Sequence, residues 1–145
     1  MKWVTRARPK TDRIACPWLI RRSIDPEAEF HFVPADDVLP FAEREGAVSF
    51  DAPGARYTHR GDLCTFEVLI EDHGMQGSDP ALDELARIVH AADIAGEEHT
   101  HPFGATVSAL GSAGLDVEDD DLRLLERGLF LYDALYAWCR KTISS

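Results

Sequence analysis

The chain has 145 residues, 45% of them hydrophobic and 28% charged, which predicts one ordinary globular domain over residues 1–145 with one core. Fifteen Lys and Arg against 26 Asp and Glu give a formal charge of −11, so the domain as a whole is not expected to bind nucleic acid. The apolar run at residues 15–20 falls far short of the roughly 20 residues that cross a bilayer, and no secretory leader can be read; three cysteines without a CxxC pair predict reduced thiols and a cytoplasmic protein with no membrane contact.

Taken in chain order, Trp3–Arg6 reads as a short strand, and Thr11 or Asp12 caps a helix that runs to about Ser23, with a kink or restart expected at Pro17. Residues 29–33 (EFHFV) alternate as a strand, Asp36 to Arg44 is a short helical stretch, and Ala47 to Phe50 is a third strand before the Asp51-Ala52-Pro53-Gly54 turn. That βαβαβ order favours parallel strands. Beyond it the pattern turns helical. Leu63, Phe66 and Ile70 follow helix spacing, and Ser78 or Asp79 caps a helix with Pro80 in its first turn and a buried stripe of Leu82, Leu85, Ala86 and Val89. Residues 99–114 read as a loop and a short Ala-rich helix. After an acidic approach, Leu122, Leu125, Leu129, Tyr132, Tyr136 and Cys139 recur at three and four residues, so a long helix ends the chain. The expected fold is α/β: a small, mostly parallel sheet packed with a helical C-terminal half.

The charge is uneven. Residues 1–22 carry seven cations and one anion, hence +6, against −17 for the rest. Those cations either pair with the acidic remainder or gather round an anion, and Arg6, Arg13 and Arg21 are the candidates for an oxyanion, which a guanidinium fork suits.

The segment from His59 to Glu67 follows the third strand, where open α/β sheets bind ligands. If Asp62 caps the next helix, Cys64 lies in its first turn, where the helix dipole lowers a thiol's pKa. Glu67 sits on the flank of the apolar stripe, and Asp93 falls on the buried face of the next helix, four residues past Val89. Inward carboxylates need partners. A divalent metal held by His59, Glu67 and Asp93, with Cys64 as fourth ligand, would serve both acids, and the donor set suits Zn, Fe or Mn. Salt bridges to Arg13, Arg21 or Arg22 are the alternative. The tract from Glu97 to His101 reads as a solvated turn, Asp133 as a partner for a buried arginine, and no phosphate loop or nucleophile elbow is present.

Thr5-Arg6, residues 12–22 (DRIACPWLIRR), residues 24–30 (IDPEAEF), His59 with residues 64–67 (CTFE), Ala92-Asp93 and residues 132–139 (YDALYAWC) together resemble the chromate-resistance family, the C-terminal domain of ChrB-type proteins, from about residue 2 to about residue 141. The resemblance implies an accessory role in chromate resistance, as a sensor or regulator, with chromate or another oxyanion as ligand. It also strengthens the expectation of a site at His59, Cys64, Glu67 and Asp93. Two-part members carry an N-terminal DNA-binding region, which this sequence is read as lacking, in keeping with its charge. Ser23, His90-Ala91 and the His99–Pro102 tract depart from the family pattern and leave those four residues intact. Two rival functions stay open: an enzyme of chromate reduction or detoxification using a metal or a Cys64 or Cys16 thiolate, and a protein-interaction module built on the basic N-terminal segment and the last helix.

Overall fold

A computed structural model describes residues 1–144. Three strands, β1 (Lys2–Arg6), β2 (Glu29–Val33) and β3 (Val48–Ser49), form one parallel sheet in the order β2-β1-β3. The linking helices are α1 (Asp12–Leu19) and α2 (Val38–Glu45); α3 (Thr65–Asp72), α4 (Pro80–Asp93), α5 (Gly104–Gly114) and α6 (Asp121–Ser144) complete the chain. The parallel α/β architecture expected from the βαβαβ pattern is the one observed.

The larger apolar cluster lies on one face of the sheet, where Trp3 and Phe30 meet Leu19, Phe66, Leu85 and Leu125 from α1, α3, α4 and α6. Val4 points to the other face and packs with Val38 of α2, as the two-residue period of a strand requires. Pro17 does not break α1. One turn later residues 20–24 widen into a π-helical turn, in which the Asp25 N–H donates to the Ile20 carbonyl at 2.6 Å.

Asp79 caps α4 as expected, accepting from the N–H groups of Ala81 and Leu82 at 3.0 and 3.3 Å, and Pro80 occupies the first turn. Asp133, however, has no arginine partner among the described residues and accepts from the Trp18 indole N–H at 2.8 Å, which ties α6 to α1. Among the described residues no helix is long and apolar enough to cross a membrane.

Helix α6 crosses α1 at Gly128, where a Cβ would come within 2.7 Å of Ile14 Cγ2. Ile14 is buried and β-branched, so it has little freedom to withdraw. Gly128→Ala is therefore expected to destabilise the protein by about 1–3 kcal/mol despite its better helix propensity. A urea titration that found this variant equal to or more stable than the parent would contradict the close packing of α1 on α6.

Candidate functional site

The site lies beyond the carboxyl ends of β1 and β3, the position at which open parallel sheets bind ligands. Four segments converge there: the N-terminus of α1, the turn after β3, the loop before α3, and the last residue of α4.

Asp12 is wholly buried in the first turn of α1. Its carboxylate caps a different helix, accepting from the N–H groups of Thr65 at 2.8 Å and Phe66 at 3.0 Å at the start of α3. Asp51 follows β3 and is also buried; it accepts from the Thr65 hydroxyl at 2.8 Å, and its carboxylate faces Arg6 at 3.5 Å and Arg13 at 3.6 Å. The Asp51 carbonyl accepts from Arg6 Nε at 2.9 Å. Asp51 has φ of 48° and Thr11, next to Asp12, has φ of 45°. Left-handed backbone at non-glycine residues is costly and concentrates at functional sites.

His59 covers the two buried acids and meets a third. Its Nε2 lies 3.0 Å from Asp93 and 3.5 Å from both Asp12 and Asp51, while 42% of its side-chain surface remains in water. Hydrogen bonding to Asp12 is the largest influence holding its pKa up at about 9, although Asp93 is nearer; burial opposes this, and the charges of Asp12, Asp51 and Asp93 reinforce it. The wholly buried Asp12 acts through little screening water. Asp93 is raised to about 7, first by burial and then by the charges of Asp12 and Asp51. Asp12, His59 and Asp93 each offer a donor atom within 4.8 Å of the others.

Of the residues expected to hold a metal, His59 and Asp93 come together here, and Glu67 and Cys64 do not belong to that group. Glu67 turns to α4 instead, where its carboxylate lies 2.6 Å from His90 Nδ1, and it also accepts from the Cys64 backbone N–H at 3.0 Å. The expected common centre for Glu67 and Asp93 thus divides into two acid–imidazole contacts on opposite partners. Cys64 precedes α3 as its N-cap rather than lying in the first turn, and it is fully buried. Burial and the neighbouring Asp12 and Glu67 charges raise its thiol pKa, the reverse of the shift expected from the helix dipole. Cys16, donating to Asp12 at 3.3 Å, is likewise pushed well up by burial.

Arg6 and Arg13 both reach the site. Arg13 also donates to the Arg6 and Ala7 carbonyls at 3.1 and 2.9 Å, and its burial lowers its pKa. Arg21 is elsewhere, paired with Glu126 at 3.0 Å and lying 5.0 Å over the Phe30 ring. The Glu97–His101 tract is not a solvated turn throughout, since His101 is buried, approaches Glu84 at 3.3 Å and accepts from the Phe103 N–H.

The residues that sequence reasoning passed over are Asp12 and Asp51. Both were visible as acids at chain reversals, Asp12 opening a helix and Asp51 ending a strand. Only the end-of-strand position carried a signal for the site.

A profile of the family described as "ChrB, C-terminal domain" matches residues 3–139. The chain is also similar to Protein ChrB of Cupriavidus metallidurans, with 37% identity over 135 residues, or 93% of this chain and 40% of that relative. The chain thus spans about two fifths of that relative's length. No solved structure matches it.

Proposed function

We propose that this chain, which belongs to the ChrB C-terminal domain family, serves in chromate resistance in the cytoplasm by holding a divalent metal at Asp12, His59 and Asp93 and, with the metal bound, by presenting Arg6 and Arg13 to an oxyanion. The observation that carries this reading is the convergence of two acids and one imidazole, with donor atoms within 4.8 Å of one another. One nitrogen and two carboxylate oxygens suit Zn, Fe or Mn and leave coordination positions open.

Charge balance supports the same order of events. Asp12, Asp51 and Asp93 outnumber Arg6 and Arg13 by one, and the protonated His59 imidazole brings the metal-free group only to neutrality. A dianion such as chromate has no net attraction to such a group. A divalent ion that displaces the imidazole proton turns the count to one positive charge, and two guanidinium groups beside it then supply directed hydrogen bonds. The buried state of Cys16 and Cys64 disfavours the thiolate enzyme, because neither sulfur has the exposure or lowered pKa of a reactive thiol.

Metal analysis of the purified protein is expected to give one divalent ion per chain, with affinity falling about 10- to 100-fold or more in His59→Ala and in Asp93→Asn. Glu67→Gln is expected to bind as the parent does. Metal content indifferent to His59 and Asp93 would remove the ligand set. Chromate and sulfate titrations with and without the metal test the second step, which fails if neither oxyanion binds the loaded protein.

A further inference from the structure

The order β2-β1-β3 leaves two edges on the sheet, and they are treated differently. The β3 edge is closed by the segment around Tyr57, whose N–H donates to the Ser49 carbonyl at 3.2 Å and whose carbonyl accepts from the Asp51 N–H at 2.8 Å. No comparable backbone segment covers the outer side of β2 among the described residues.

The register identifies which groups are left open. The Glu29 N–H donates to the Met1 carbonyl and the Val33 carbonyl accepts from the Ala7 N–H, so residues 29, 31 and 33 direct their backbone groups to β1. Alternate residues of a strand bond to opposite sides, hence Phe30 and Phe32 direct N–H and C=O outward. Residues 30–33 all border one open groove. Successive side chains of a strand point to opposite faces, and a groove that touches four in a row therefore runs along the backbone edge itself.

That groove has an apolar wall and an acidic rim. Leu122, in the first turn of α6, stands 53% exposed beside it. Six carboxylates border the groove and its continuation past Phe30, against two arginines, a net charge of −4. Arg8 is taken up by Asp121 at 2.9 Å and by the carbonyls of Leu115, Glu118 and Asp119, and Arg21 by Glu126. Glu27, Asp119 and Asp120 keep no basic side-chain partner among the described residues, and Glu29 has only the His31 imidazole, at 3.7 Å.

We propose that the β2 edge docks an extended, Lys- or Arg-rich segment of a partner protein, which adds to the sheet as a fourth strand. The backbone groups of Phe30 and Phe32 supply the ladder, and the acidic rim selects basic side chains. A second copy of this chain is the poorer occupant, because pairing two β2 edges would set two acidic rims against each other. This inference is independent of the metal site.

The test is a titration of the isotope-labelled 145-residue chain with a nine-residue peptide of alternating lysine and valine, followed by amide resonances and hydrogen exchange. The Phe30 and Phe32 amides are expected to shift and gain protection, and binding to weaken about tenfold or more between about 50 and about 300 mM salt. N-methylation of the peptide amides that face β2 should abolish binding, and a Glu27→Lys, Glu29→Lys, Asp119→Lys variant with unchanged circular dichroism should lose at least about tenfold in affinity. The proposal is overturned by binding that survives N-methylation, by shifts confined to other residues, or by none at about 1 mM peptide. It is equally overturned if the same amides shift with protein concentration alone, which would assign the edge to self-association.

Discussion

Asp12→Ala is expected to cost about 2–4 kcal/mol of stability, a large part of the roughly 5–15 kcal/mol available to a domain of this size. Among the described residues the buried carboxylate is the acceptor for the Thr65 and Phe66 N–H groups, which open α3 and have no intrahelical partners. Each buried donor left without an acceptor costs about 1–3 kcal/mol. His59 also loses the partner that does most to keep it protonated. Part of this loss is returned, because Asp12 repels Asp51 and Asp93 and raises the pKa of both. Asp12→Asn keeps one oxygen acceptor and removes the same repulsion, so it should fall within about 1–2 kcal/mol of the parent. Urea unfolding of the three proteins would decide: Asp12→Ala within about 0.5 kcal/mol of the parent would mean that Asp12 does not hold α3 in place.

The dual role of Asp12 also explains why the site was only partly legible. Periodicity located the strands and helices, and the acid-on-a-buried-face argument found Asp93, because that argument needs only one helix. Glu67 satisfied the same local test. Its partner depended on which residue of α4 lies across from it, and spacing within α3 carries no information about that: His90, not Asp93, is opposite. Asp12 read as a local helix opener, whereas the helix it caps begins 53 residues later. Cys64 shows how small the margin is. A shift of two residues in the start of α3, from a cap at Asp62 to a cap at Cys64, moves it from first turn to N-cap. Its complete burial then outweighs any dipole effect on the thiol. Asp51 was legible as a turn acid, but its left-handed backbone and its contacts with Thr65 and Arg6 arise only when β3 meets β1.

Asp93→Asn is expected to stabilise the metal-free protein at pH 8. An aspartate ionises near 3.9 in an unfolded chain, and Asp93 is held up at about 7 in the fold by burial and the Asp12 and Asp51 charges. Between those values the native state binds the extra proton, so stability falls as pH rises from about 4 to about 7, by on the order of 3–4 kcal/mol. His59 acts with the same sign over a higher window. Its folded value of about 9 exceeds the unfolded 6.5, so its contribution is present below about 6.5 and lost as pH climbs to about 9. With 42% of the imidazole surface in water, that second loss is on the order of 1 kcal/mol. Asparagine keeps an oxygen for the Asp12 backbone and carries no charge, so the variant should lack the fall between pH 4 and 7, match the parent at pH 4, and exceed it by about 2–4 kcal/mol at pH 8. A divalent ion should reverse the ranking: it stabilises the parent in proportion to RT ln(1 + [L]/Kd) and leaves the variant nearly unmoved. Thermal melts of both proteins at pH 4 and pH 8, with and without zinc or manganese, test each limb separately. Parallel pH curves for the two proteins would show that Asp93 is not under electrostatic strain. A fall between pH 4 and 7 without metal stabilisation would keep the strained acid and discard the ion. The residue proposed to bind metal is thus one that weakens the fold until its ligand arrives.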